Sequence, residues 1–223
     1  MDPLLPRAVD DYLDELVTAQ LYDPVVMEME RRASATGFPI VGRAAGRYLE
    51  LTTHMAGARR VVELGSGYGY SSFWFARGVG EGGEVIGIDH DPQNAHLAES
   101  YLRRAGMWER CATRTGDALE QLAAIEGTID LVFCDIDKDG YPAAWEAVAD
   151  RLEVGGLFVC DNALWYGRVA GLAPTDQDAE VAAAQAAVAP AVAAMTREVV
   201  NDPRYLTSVV PIHDGLLVAQ RIG

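Results

Sequence analysis

Short runs rich in β-branched residues alternate along this chain with amphipathic segments, and that alternation restricts its fold more than any other feature. The runs are Arg60–Leu64, Glu84–Ile88, Ala112–Thr115, Asp130–Cys134 and Gly156–Cys160. Between them lie Ser71–Arg77, Pro92–Ala105, Ala118–Ile125 and Pro142–Leu152, each with helical spacing of apolar residues. Strand, helix, strand at this pitch predicts βαβ units and a parallel sheet. The runs are nearly all apolar, as strands must be when helices cover both faces of a sheet. Ahead of them, Ala8 to about Ala35 spaces Leu, Val and Met among acids as two helices would, and a third is expected from about Val41 to Ala56. After them, Ala179–Met195 predicts an Ala/Val-rich helix interrupted by Pro190. Tyr205–Pro211 and Leu216–Ile222, joined by His213-Asp214-Gly215, predict a hairpin. The expected architecture is a doubly wound α/β fold: a mostly parallel seven-stranded sheet closed by an antiparallel C-terminal hairpin. One domain is expected over residues 1–223, with N-terminal helices over 1–56.

Composition narrows the partners. A net charge of −15 argues against nucleic acid, because phosphate binding needs clustered Lys and Arg. No stretch of about 18 or more apolar residues is evident, so no membrane span is expected. The acidic start MDPLLPRAVDDYLDELV lacks the basic n-region of a signal peptide, and a cytoplasmic protein is expected. Cys111, Cys134 and Cys160 are too few and too scattered for a disulfide framework or a zinc site. Cys134 and Cys160, each ending an apolar run, read as small buried hydrophobes at strand ends.

The first strand runs into Glu63-Leu64-Gly65-Ser66-Gly67-Tyr68-Gly69-Tyr70-Ser71. Glycines at a strand-to-helix turn let the backbone approach a ligand, and the helix start offers free N–H donors. A dinucleotide fingerprint would need its third glycine at position 70, where Tyr70 stands. Gly65, Gly67 and Gly69, with Glu63 two residues ahead, resemble instead the first motif of class I methyltransferases, whose sheet is Rossmann-like. No Lys or Arg lies between Val61 and Ala76, which suits S-adenosylmethionine, a cation without phosphate. Asp89 ends the second strand 24 residues after Gly65, placed to accept from both ribose hydroxyls. Gly116-Asp117-Ala118 follows the third strand, where such folds contact adenine. The expected cofactor-binding residues are Val41, Glu63, Gly65, Ser66, Gly67, Tyr70, Ser71, Asp89, His90, Gly116, Asp117, Ala118 and Asp135.

The fourth strand ends Cys134-Asp135-Ile136-Asp137-Lys138-Asp139, and the fifth ends Cys160-Asp161-Asn162. Ligands of open parallel sheets bind beyond the carboxyl ends of the strands, so Asp135, Asp161 and Asn162 converge if these two strands are neighbours. Three oxygen donors suit a hard ion such as Mg²⁺, or another divalent cation such as Ca²⁺ or Mn²⁺. With Val41-Gly42, the glycine loop, Asp161 to Val169, Asp202-Pro203-Arg204 and His213-Asp214-Gly215, nearly the whole chain resembles the metal-dependent catechol and caffeoyl-CoA O-methyltransferase family. The resemblance implies Asp135, Asp161 and Asn162 as metal ligands and Lys138 as general base. It also implies a homodimer and a small substrate with vicinal hydroxyls.

Lys138 stands out independently, as the only lysine among 18 basic residues. Arginine does not give up its proton in a protein, so a general base is a role that 17 arginines cannot fill. Burial, a metal and a sulfonium would depress the ammonium's pKa, while Asp135, Asp137 and Asp139 push the other way. His54, His90, His96 and His213 show no paired metal spacing and read as structural or surface residues. Trp165 and Tyr166 are candidates for a substrate wall or for core packing. A dehydrogenase lacks support because of Tyr70. An N-methyltransferase would carry an Asn/Asp-Pro-Pro-aromatic stretch where Asp135-Ile136-Asp137-Lys138 stands, and a catalytically silent binding protein would show damage among these residues.

Overall fold

The computed structural model describes residues 7–172 and 179–223. Three helices come first: α1 (Arg7–Gln20), α2 (Pro24–Thr36) and α3 (Gly42–Met55). The strands are β1 (Arg60–Leu64), β2 (Glu84–Asp89), β3 (Cys111–Thr115), β4 (Ile129–Cys134) and β5 (Leu152–Cys160), then β6 (Tyr205–Val210) and β7 (Leu216–Arg221). Between them run α4 (Tyr70–Val79), α5 (Pro92–Arg104), α6 (Ala118–Ala123), α7 (Tyr141–Val148) and α8 (Ala179–Asn201). Aspartates start several helices where the chain leaves a strand or loop. Asp23 accepts from the N–H groups of Val25 and Val26 at 2.8 and 3.3 Å, and Asp91 from that of Gln93 at 2.8 Å, each followed by a proline at the first helical position.

The seven strands form one sheet in the order β3-β2-β1-β4-β5-β7-β6. The first five are parallel; β7 runs antiparallel to β5 and pairs with β6 as the expected hairpin. Chain order reverses between β1 and β4, the switch point at which such sheets open a crevice. Register keeps the carboxyl ends level there: Leu64 pairs with Ile88 and with Cys134, and Cys134 with Cys160. Alternate strand residues face opposite layers. Val61, Val85, Leu131, Phe133 and Val159 pack against α3, α4 and α5, while Val62, Ile86, Val132, Phe158 and Cys160 pack against α7 and α8.

Two expectations about these elements need correcting. β5 begins at Leu152 rather than Gly156, because Glu153 to Gly156 bulge: Ile129 pairs with Leu152, but Leu131 already pairs with Leu157. Helix α8 is not interrupted at Pro190 but continues to Asn201. A proline inside a helix costs about 3 kcal/mol, and here Val192, Met195 and Val199, all fully buried beyond it, dock the helix on the sheet. By length and composition α8 would also suffice to cross a membrane, contrary to the expectation that no segment does. Its C-terminal half is instead part of the core.

Several core positions are polar, and Glu63 is the most deeply buried acid among them. Glu63 lies on β1 with no exposure, takes a short hydrogen bond from Ser72 Oγ on α4, and leaves Oε1 without a partner. Burial drives its pKa up to about 7 although the hydroxyls of Ser71 and Ser72 draw it down. Between about pH 4.5 and 7 the native state therefore holds a proton that the unfolded chain has lost, so ligand-free stability falls as pH rises through that window. Urea unfolding should show Glu63→Gln gaining roughly 1–3 kcal/mol on the wild type between pH 4.5 and 8. A difference that stays constant across this range would mean that Glu63 ionises as an ordinary carboxylate.

Candidate active site

The turn after β1 is pressed against the end of β4. Gly65 has φ +88, and a Cβ there would stand 2.2 Å from the Asp135 carbonyl oxygen, so only glycine allows the two strand ends to lie this close. The Asp135 N–H donates to the Leu64 carbonyl at 2.8 Å, and the N–H groups of Gly65 and Ser66 both donate to Ile88 at 2.9 Å. Gly67 N–H reaches across to Asp89 Oδ2 at 2.9 Å. Asp89 Oδ1 accepts from Asp91 N–H at 2.9 Å and from Asn94 Nδ2 at 3.1 Å. A carboxylate offers about four acceptor positions, and these donors take three of them on Asp89. The capping residue of α5 is Asp91, not Asp89.

The other expected cofactor residues fall into two groups. Ser66 and Ser71 are buried beside the turn, and Val41 is buried just ahead of α3. Gly116, at φ 146, follows β3, and Ala118 opens α6. Of the remaining three side chains, two are engaged within the protein and one is exposed. Tyr70 donates its hydroxyl to Glu30 Oε1 at 2.9 Å, beside Arg43, and its ring packs on Trp74. The Asp117 carboxylate caps α6 through the N–H groups of Leu119 and Glu120 at 3.0 and 2.9 Å. His90 is exposed.

Beyond β4 and β5 lie the acids. Lys138 opens a short 3₁₀ turn, which swings its ammonium back over the strand end. Nζ donates to Asp135 Oδ1 at 2.7 Å and to the Ile136 carbonyl at 3.2 Å, and lies 5.0 Å from the Tyr141 ring centroid and 5.8 Å from that of Trp165. Asp137 and Asp139 are exposed, so the acids that act on Lys138 are Asp135 and Asp161, not the sequence neighbours on either side of it. Burial pulls the Lys138 pKa down, but these two carboxylates outweigh it and the net shift is upward. Burial raises the Asp135 pKa, with Lys138 opposing and Asp161 adding to the rise.

Asp161 is buried, its N–H donating to the Cys134 carbonyl at 3.1 Å and its own carbonyl accepting from Tyr141 Oη at 3.0 Å. His213 Nδ1 stands 3.3 Å from Asp161 Oδ1 and 3.2 Å from Oδ2. Burial would raise the Asp161 pKa, yet the charge and hydrogen bond of His213, with Lys138, bring it below the ordinary value. Burial opposes protonation of His213 as well, and Asp161 overrides it, lifting the imidazole to about 9. Asn162, in the left-handed region at φ 53, donates Nδ2 to Asp214 Oδ2 at 3.1 Å. Asp214 is itself buried, with Oδ1 accepting from Tyr166 N–H at 2.6 Å. With its nitrogen held this way, Asn162 keeps Oδ1 as the atom available to a ligand.

Two carboxylates and one amide oxygen at a single sheet edge fit a hard divalent cation. Among the described residues no three His, Cys, Asp or Glu side chains form an ion cage by themselves, so such a site needs Asn162. His213 was missed in the sequence because histidines were judged by spacing. The usable signal was topological: β7 starts beside the end of β5, with Leu217 opposite Cys160, so the turn before it meets Asp161. Trp165 and Tyr166 both have positive φ, at 46 and 52, and Trp165 Nε1 is tied to the Gln185 carbonyl of α8 at 2.6 Å.

Comparison with known proteins follows the same lines. The sequence model of the O-methyltransferase family matches residues 17–222. A catechol O-methyltransferase of Mycobacterium tuberculosis (strain ATCC 25618 / H37Rv) is 32% identical over 183 residues, 81% of this chain and 81% of the relative. Caffeoyl-CoA O-methyltransferase 1 of Arabidopsis thaliana is 29% identical over 80% of this chain and 70% of its own length. The crystal structure of an O-methyltransferase from Bacillus cereus in complex with SAH superposes with a TM-score of 0.81 at 26% identity, covering 96% of this chain and 97% of that one. With a family match over nearly its whole length, and a seven-stranded sheet shared with a SAH-bound relative, this chain belongs to the O-methyltransferase family and is an S-adenosylmethionine-dependent O-methyltransferase.

Proposed function

We propose that this enzyme methylates one oxygen of a small acceptor with adjacent hydroxyl groups, and that Asp135, Asp161 and Asn162 hold a divalent cation for that purpose. The observation that carries the reading is the meeting, at one sheet edge, of two carboxylates, an oriented amide and the only lysine. The activities for which the relatives are named, those of catechol and caffeoyl-CoA O-methyltransferases, support an acceptor of this class. A divalent cation, when bound, stabilises the ionised form of a hydroxyl oxygen.

The remaining work falls to the chain. A free phenol has a pKa near 10 and lysine one near 10.4, so proton transfer between them is almost balanced. Lys138 Nζ, held over the strand end by Asp135, is positioned to take the acceptor's proton once its own has left. Trp165, which with Tyr141 lies near the ammonium, and the neighbouring Tyr166 offer aromatic faces to a flat acceptor. The turn around Gly65 and Gly67, with Asp89, holds the methyl donor, so that oxygen, carbon and sulfur align for in-line transfer. The reading extends to a homodimer. Val9, Tyr12 and Leu16 lie exposed along one side of α1, and Val181 at the start of α8 is exposed as well. Light scattering should give twice the 24.0 kDa chain mass, and a monomer would reject the pairing.

Three experiments test the chemistry. Chelator treatment should abolish methyl transfer and Mg²⁺ should restore it; full turnover in stripped enzyme would end the metal proposal. Asp161→Ala should lose activity yet still bind S-adenosylmethionine in calorimetry, because the donor's main expected contacts follow the first three strands. Lys138→Met should lower turnover by about 10²–10⁴-fold and recover partly at high pH. Lys138→Arg should fail nearly as badly, since arginine preserves the ion pair with Asp135 but cannot accept a proton. Near-normal turnover in Lys138→Arg at neutral pH would leave Lys138 a structural counter-ion.

A further inference from the structure

We propose that Gln185 recognises the acceptor: its side-chain carbonyl takes a hydrogen bond from a hydroxyl or N–H group that the acceptor carries opposite its adjacent hydroxyls. This rests on the reading that those hydroxyls react beside Lys138. From Val181 to Met195, helix α8 consists of Ala, Val, Pro and Met except for Gln185. A lone polar residue in such a helix belongs on its solvent face. Gln185 instead falls in line, at helical spacing, with Ala189 and Val192, both buried on the side that docks against the protein. Its Oε1 is closed off from solvent and, among the described residues, accepts no hydrogen bond. Burying an acceptor without a donor costs more than a formed hydrogen bond returns. A methionine would fill the same position without that penalty, so the folded chain by itself gives no reason for the amide.

Its position supplies one. The backbone carbonyl of Gln185 accepts from Trp165 Nε1 at 2.6 Å, and the Trp165 ring centroid lies 5.8 Å from Lys138 Nζ. Helix α8 packs against both the 3₁₀ turn that carries Lys138 and the 3₁₀ segment Trp165–Ala170. The indole therefore bridges the lysine and the helix. An acceptor ring laid along it, with its hydroxyls at Lys138, extends its opposite end toward Gln185. The contact is then made to a substituent of the acceptor and to no reacting atom. Entry needs the indole and α8 to part slightly. The backbone of Trp165 and Tyr166, at φ 46 and 52, is already strained there and is the place to yield.

The chemistry of Oε1 sets the preference. An amide carbonyl accepts and never donates, so it rewards a substituent that ends in O–H or N–H. An ether, an ester or a carboxylate would bring a second acceptor against it and leave both unpaired. The proton transfer at Lys138 is common to every acceptor with adjacent hydroxyls, whereas Gln185 discriminates among them.

Three catechols test this with the full-length enzyme: 4-(hydroxymethyl)catechol, 4-(methoxymethyl)catechol, which cannot donate, and 4-ethylcatechol, which is apolar. Wild type should favour the hydroxymethyl over the methoxymethyl compound in kcat/KM, a comparison that needs no variant. Gln185→Met keeps the side chain's length and suits a helix, but removes the carbonyl. It should lower the ratio of kcat/KM for the hydroxymethyl compound to that for the ethyl compound by about tenfold or more. It should also raise the thermal unfolding midpoint of the ligand-free protein, because an unpaired buried acceptor is gone. An unchanged ratio in Gln185→Met, or a wild type that prefers the ether, would overturn the recognition role and leave the adjacent-hydroxyl reading standing. So would a lowered midpoint, which would mean that the protein itself satisfies Oε1. Methylation of none of the three catechols would reject the adjacent-hydroxyl reading and the role of Gln185 with it.

Discussion

Everything at the candidate site depends on how closely the ends of β1 and β4 approach. A Cβ at position 65 would stand 2.2 Å from the Asp135 carbonyl oxygen, and the amide of Asp135 is bonded to Leu64. That contact lies at the switch point of the sheet, the one place where helices leave neighbouring strands in opposite directions and open a crevice. It brings the turn carrying Gly67 and Asp89 to the same level as the acid that meets Lys138. The proposed methyl donor and acceptor sites become adjacent because one backbone touches another, with no side chain between them.

The second fixed point is the hairpin. In a purely parallel sheet the loop after β5 would hang free on one side. Here β7 runs back beside β5, and its leading turn clasps that loop. Ala163 and Leu164 donate to the carbonyls of Gly215 and Asp214 at 2.9 and 3.0 Å, while the Asp214 carboxylate takes Asn162 and Tyr166. The left-handed backbone at Asn162, Trp165 and Tyr166 is strained for residues with side chains. The clasp supplies the contacts that hold it.

These two fixed points differ in how far the sequence disclosed them. Strands that read as apolar runs between glycine turns were legible almost to the residue, and so was the ring of acids, because each acid ends a strand. Local chemistry sufficed there. What was not legible depended on tertiary contact. Pro190 reads as a break, and only the docking of Val192, Met195 and Val199 carries the helix past it. Gly156 reads as a strand start, yet it belongs to a bulge, Glu153 to Gly156, inside β5. The partner of Lys138 was sought among Asp137 and Asp139 as well, but the 3₁₀ turn points those two outward and returns the ammonium to Asp135. His213 lies 52 residues from Asp161, a separation that no periodicity reveals.

The candidate site also bears on why a lysine survives in a chain whose other 17 basic residues are arginines. Asp135 and Asp161 are each matched by one cation, Lys138 and His213, in a part-buried cluster where unpaired charge is costly. Charge balance alone would accept arginine at position 138, and a guanidinium would grip Asp135 with two bonds where the ammonium makes one. The proposed chemistry demands the weaker grip. A group that must leave its carboxylate, lose a proton and take another benefits from a compact charge on a flexible stem. Burial supports that exchange: it pulls the Lys138 pKa down, and chiefly Asp135, with Asp161, holds it above the ordinary value. Whatever engages those carboxylates removes the forces that keep Lys138 protonated, so filling the site and readying the base are one electrostatic event.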